Sequence, residues 1–220
     1  MLSRGSLFRV IHFGRTRNPA RIKAIVGLRL LEVIRDYDLP AELLEQEDPT
    51  QTIPRRLGLN DVVERQIRAY EHDEKKRVHL TDRGAVALFN LVSRRPDSDQ
   101  VFFQTGLDLA EVPQLFRYGK VFPKSVQYLL ARVYLGQRLK KLFGRQVIVL
   151  GEGFFSPESK DLFFREVDRE GNICCFISGM CQGVLEQIGQ AAVEVEHSLC
   201  QAHGDDRCMW NGKILSVTES

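Results

Sequence analysis

The chain carries five cysteines, Cys174, Cys175, Cys181, Cys200 and Cys208, all in its last quarter, and the first 173 residues contain none. Thiolates are metal ligands and nucleophiles, so this clustering marks where chemistry is concentrated. Cys200 and Cys208 flank a polar segment centred on Gly204, between two runs that read as strands, and a hairpin there brings the two sulfurs together. A structural zinc site wants four thiolate or imidazole ligands in tetrahedral array. Cys174, His197, Cys200 and Cys208 can supply them. In a straight strand His197 and Cys200 point to opposite faces, so such a site requires the chain to turn or bulge before Cys200. Two plainer roles stand beside the metal: buried thiols that simply pack, or a disulfide across the hairpin under oxidising conditions. The short CxxC spacing of many zinc sites is missing. Cys175 and Cys181 read as packing residues and His203 as an exposed turn residue.

The elements that must position these groups follow from periodicity. Residues at three- and four-residue spacing, Cys174, Ile177, Ser178, Cys181, Val184, Leu185 and Ile188, define one face of a helix running to Gly189, with Gly179 and Gly183 on its flank where small residues permit close packing. Val193, Val195, His197 and Leu199 then alternate with Glu194, Glu196, Ser198 and Cys200, the period-two pattern of a half-buried antiparallel strand, and 208–217 supplies its hairpin partner. Upstream, 147–150 and 162–167 read as short strands ended by turn residues. The first half has a different texture. Helical spacing over 19–47, broken at Pro40, marks a helix and then a second short one; another helix follows over 53–70 behind Asn60, then a charged connection from Glu71 to Arg77 and a further helix around Ala85 to Val92. Helical periodicity continues over 101–144 with interruptions at Pro113 and Pro123. The expected fold class is α+β: a helical N-terminal segment, 1–97, followed by an α+β domain, 98–220, whose small antiparallel sheet packs on helices.

Composition narrows the function. With 220 residues and 43% hydrophobic side chains the chain can bury a substantial core, and its net charge of +2 provides no global field toward nucleic acid or acidic lipid. No signal peptide and no stretch near the roughly 18 uninterrupted apolar residues of a membrane span is present, so the expected location is the cytoplasm, where thiols stay reduced. Serine elbow, phosphate loop, dinucleotide fingerprint and HExxH are all absent, and no catalytic constellation is found. The pairs Glu194/Glu196 and Asp205/Asp206 read as a solvated strand face and a turn.

From Cys174 through Val184-Leu185-Glu186, Val193-Glu194-Val195-Glu196, Cys200, His203-Gly204-Asp205 and Cys208-Met209-Trp210, the chain resembles the V4R, or 4-vinyl reductase, domain family, over roughly 127–217. Domains of this family are similar to the sensor domains of phenol-responsive transcription activators and to the Bet3 subunits of the transport-protein-particle tethering complex. The resemblance implies a structural Zn2+ on Cys174, His197, Cys200 and Cys208, with His197 standing where the family has an acidic ligand; imidazole is a chemically sound substitute. It also implies a homodimer and an apolar pocket for a small hydrophobic molecule, aromatic or tetrapyrrole in kind. The residues expected to line the pocket are Phe154, Phe155 and Phe163, with Tyr128 and Tyr134 offering hydrogen bonds.

The function expected on this basis is non-catalytic small-molecule binding or regulation. A second expectation is an accessory protein of tetrapyrrole or chlorophyll biosynthesis linked to vinyl reduction, with its redox chemistry borrowed from a partner. A third is a DNA-binding regulator, because Leu80-Thr81-Asp82-Arg83-Gly84 resembles the step from wing to last helix in MarR-like winged-helix proteins. That third expectation ranks lowest, since 60–70 mixes acids and bases where a recognition helix would be basic.

Overall fold

A computed structural model describes residues 22–38, 62–144, 146–151, 153–159 and 170–215 of the chain. Strand β1 (Ile22–Lys23) leads into helix α1 (Ala24–Asp38), followed by α2 (Val62–Lys75), β2 (His79–Leu80), α3 (Asp82–Ser93) and α4 (Ser98–Leu109). A 3-10 segment, Gln114–Val121, connects to α5 (Lys124–Phe143), then come β3 (Val149–Leu150), β4 (Pro157–Ser159), α6 (Cys174–Gly189), β5 (Val193–Leu199) and β6 (Cys208–Ile214). The class is α+β, with one two-stranded and one four-stranded antiparallel sheet among the described residues.

α6 is the hub. Phe176, Met180 and Gly183 are buried along with Cys174, Ile177, Cys181, Val184, Leu185 and Ile188, so the helix is covered nearly all round and not on one face as its spacing suggested. A helix enclosed on all sides is a core helix. α4 and α5 lie against it, with Phe143 meeting Phe176 edge-on at 5.6 Å, and the sheet covers the remainder. Three glycines set the approach of α4. A Cβ at Gly106 would strike the Phe176 carbonyl and one at Gly179 the Phe103 carbonyl, while at Gly183 it would come 2.7 Å from Ala110. The backbones touch where side chains are missing.

The first helices attach to this hub. Leu30, Leu31 and Ile34 of α1 belong to the same buried cluster as Phe89, Phe102 and Leu109, and α1 packs against both α2 and α4. At its end, the Arg95 guanidinium donates to both Asp38 carboxylate oxygens, at 3.1 and 2.7 Å, and to Asp97 at 2.8 Å. This fork ties α1 to the α3–α4 turn. The charged stretch expected to be a connection from Glu71 is instead the end of α2, which continues to Lys75; glutamate and lysine are good helix formers and nothing there breaks the helix. Beyond it, β2 pairs with β1, Ile22 opposite Leu80 and Lys23 opposite His79. Thr81 caps α3 by accepting the Gly84 N–H at 3.1 Å.

In the larger sheet the strand order is β3-β4-β6-β5. β5 alternates half-buried and exposed residues as its sequence indicates. β4 escaped periodicity because three residues joined at Glu158↔Met209 and Ser159↔Cys208 carry too short a pattern to see. The expected strand at 162–167 and the short helix after Pro40 lie outside the described residues.

Candidate metal centre

Cys174 is the first residue of α6, and its N–H donates to the Gly171 carbonyl at 3.0 Å. His197 stands late in β5. Up to His197↔Trp210 the β5–β6 ladder is regular, but the next pair is Leu199↔Met209, so β5 holds one extra residue between them. That bulge reverses the facing of the residues after it. It brings Cys200 to the side of His197, as the ligand spacing required. A one-turn 3-10 segment, Gln201–His203, and Gly204 at φ +105° then return the chain to Cys208 at the head of β6. Asp205 holds this turn by accepting the Cys200 N–H at 2.7 Å.

The result is a compact set, buried at its three cysteines and half-buried at His197. One ligand atom from each of Cys174, His197, Cys200 and Cys208 lies within 4.8 Å of the others, and the three cysteines are at most 5% exposed. The Cys174 and Cys208 sulfurs are 3.7 Å apart, far beyond the bond length of a disulfide. Two thiolates on one tetrahedral zinc, each about 2.3 Å from the ion, would stand about 3.8 Å apart. His197 Nε2 is buried with no hydrogen-bond partner, a cost unless another partner takes the nitrogen. Three sulfurs and one imidazole make a donor set suited to zinc. These four residues could hold a metal ion.

The electrostatics of the sulfurs point the same way. Its hydrogen bond with Cys174, followed by the His197 ring and the Gln201 N–H, pulls the Cys208 thiol well below the usual cysteine range. The shared hydrogen bond and burial push Cys174 up. Such a pair holds one proton between two sulfurs. A cation bound between them would replace that proton.

Residues around the set orient it. The Trp210 ring lies parallel to His197, 12° off, with 4.9 Å between centroids. Trp210 Nε1 donates to Ser178 Oγ at 3.1 Å, and Ser178 donates to the Cys174 carbonyl at 3.3 Å, so the ring that backs one ligand is tied to the helix that carries another. The Gln201 N–H donates to Cys208 Sγ at 3.3 Å. Gly171, at φ +81°, leaves room for Cys200: a Cβ there would come 2.9 Å from its sulfur. Sequence reasoning named the four residues that cluster here but not the supporting roles of Ser178, Gly171 and Gln201. Ser178 and Gly171 meet Trp210 and Cys200, distant in sequence, and Gln201 acts through its backbone N–H, which no residue type reveals; only the turn propensity of Gly171 was visible.

Of the other cysteines, Cys181 is enclosed in α6, where burial pushes its thiol up. Cys175 is half-buried, and none of the five is in a disulfide. His203 is exposed and its Nε2 lies 3.2 Å from the Glu170 carbonyl.

The aromatic residues expected to line a pocket are placed differently from one another. Phe155 is 2% exposed and Phe154 73%. Phe154 rests on Tyr128, centroids 5.8 Å apart, and the Tyr128 hydroxyl accepts the Ile214 N–H at 2.9 Å. Tyr134 donates to the Glu111 carbonyl and borders a cleft with Arg138 and Lys141. Phe163 lies outside the described residues.

Comparison of the chain with protein-family models, with curated proteins and with solved structures finds no match. No described helix is long and apolar enough to cross a membrane.

Proposed function

We propose that this is a non-catalytic regulatory or ligand-binding protein of V4R type, held together near its C-terminus by a structural zinc. The observation that carries the proposal is the convergence of Cys174, His197, Cys200 and Cys208, the four positions designated by the family resemblance, into one S3N set whose three cysteines are buried. Four protein ligands close a tetrahedral site and leave no open position for a substrate or an activated water. Bound there, zinc supplies a cross-link between α6 and the β5–β6 hairpin. The chain's own residues do the remainder: Trp210 orients His197, Asp205 shapes the turn and Gly171 admits Cys200.

A hydrophobic small molecule is the proposed ligand, and a homodimer the proposed assembly. Phe154, exposed and lying over Tyr128, supports the first. Leu129 and Val133, exposed four residues apart on α5, support the second by offering an apolar strip to a second copy. Native mass spectrometry of freshly purified protein tests all three together. The expected spectrum shows a dimer with one zinc per chain and a bound organic molecule. Metal-free protein whose melting temperature is unchanged by a chelator would overturn the zinc-centred reading, and a copurifying pigment would move the ligand toward tetrapyrroles.

A further inference from the structure

Away from the cysteines, two adjoining clefts open where the start of α1 faces α5. One, of about 300 Å3, is bordered by Lys23, Glu74, Arg77, Glu111, Arg138 and Lys141 above apolar residues including Leu142. The other, of about 360 Å3, shares Glu111, Arg138 and Lys141 and adds Pro113, Tyr134 and Gln137. Each volume is that of a small-molecule site. The cations come from separate places in the chain: Lys23 from β1, Arg77 from the α2–β2 turn, Arg138 and Lys141 from successive turns of α5. Among the described residues none of these four cations makes an ion pair.

Three details distinguish this from a random basic surface. Arg77 has φ +56°. It closes α2, with the Val78 N–H returning to the Asp73 carbonyl and its own N–H to the Glu74 carbonyl, both at 2.8 Å. That is the position where glycine is the ordinary choice, since a Cβ is disfavoured in the left-handed region. Arg138 Nε donates to the Leu109 carbonyl at 3.0 Å, which fixes the guanidinium at the end of α4 and leaves its terminal nitrogens for a ligand. Burial, followed by repulsion from Lys141, Arg138 and Arg77, holds the Lys23 ammonium below the ordinary lysine range. Four cations kept together, with no ion pair among the described residues and only Glu74 offsetting the repulsion at Lys23, favour an anion that would relieve that repulsion.

We propose that this cleft binds a phosphate-bearing small molecule, its anionic group between Lys23, Arg77, Arg138 and Lys141 and its apolar part toward Pro113 and Tyr134. The site is independent of the metal centre. With Glu74 and Glu111 also on the border, four basic groups face two acidic ones, an excess that matches the charge of about −2 on a phosphate monoester near neutral pH. Two guanidinium groups provide the forked donors that phosphate oxygens accept.

Isothermal titration calorimetry of the full chain at physiological ionic strength, with phenyl phosphate and with inorganic phosphate, tests the proposal. Saturable one-site binding is expected, tighter for phenyl phosphate. Lys141→Gln and Arg77→Gly should each weaken it by about tenfold. Arg77→Gly should at the same time keep or raise the melting temperature of the unliganded protein, because glycine suits that backbone, so lost binding cannot be lost folding. Lys140→Gln, exposed and outside the lining, should bind normally. The proposal fails if no saturable binding is seen, if Lys140→Gln weakens binding as much as Lys141→Gln does, or if the protein sediments with phosphatidylserine vesicles while ignoring phenyl phosphate.

Discussion

The His197 imidazole lies flat against the Trp210 indole, 4.9 Å between centroids, on neighbouring strands paired at that very position. Trp210 is the single tryptophan of the chain. Its emission should therefore respond to a metal held at the candidate centre. Adding a chelator to the metal-loaded protein should change tryptophan fluorescence in step with metal release, and Trp210→Phe, which keeps a ring on His197 but loses the bond to Ser178, should destabilise by about 1 kcal/mol or somewhat more. An emission spectrum indifferent to the metal would contradict this coupling.

Removing a ligand should separate the four cluster residues from the other cysteines. Cys200→Ser and Cys208→Ser are expected to lose metal and to melt well below wild type, because metal binding at a structural site contributes directly to folding free energy. Cys175→Ser should keep both the metal and nearly the wild-type melting temperature. Metal content by elemental analysis, run beside thermal melts, distinguishes these outcomes.

Phe154 and Phe155 are adjacent in sequence but opposite in burial. Phe155→Ala should cost about 3 to 5 kcal/mol, the usual range for a buried phenylalanine. Phe154→Ala should fall within about 0.5 kcal/mol of wild type while reducing uptake of a hydrophobic fluorescent probe. Equal stability losses at the two positions, measured by denaturant titration, would mean that Phe154 is covered in solution, and unchanged probe uptake would remove it from the proposed ligand surface.

Acid sensitivity should have a share assigned to the Arg95 fork. The hydrogen bond from Arg95 holds the Asp97 carboxyl below the usual aspartate range. A carboxylate depressed in the folded state stabilises the fold above its unfolded pKa, and that contribution is lost as pH falls through the folded value. Asp97→Asn should therefore lower stability at neutral pH and flatten its decline in acid. Melting curves of both proteins from neutral to acidic pH should converge; parallel curves would show that the bridge carries no pH-dependent stability.

Local pattern alone determined a good deal of this protein. The run from Cys174 to Gly189, the alternation of Val193 to Leu199 and the breaks at Pro113 and Pro123 are properties of neighbouring residues, and each became the element expected of it. The donor types were legible too, since thiol and imidazole chemistry belongs to the residue itself. Tertiary structure decided the rest. That α6 is covered nearly all round depends in part on Gly106 lying over the Phe176 carbonyl, a contact between residues 70 positions apart. That Cys200 joins His197 depends on one extra residue in β5, which period-two alternation does not foresee because a bulge is specified by pairing with β6. The charged stretch after Glu71 had too little apolar content to be read as a helix, although its helix-forming residues extend α2 until Arg77 closes it. Periodicity records which way each side chain faces within its own element; what it meets there is set by a backbone distant in sequence.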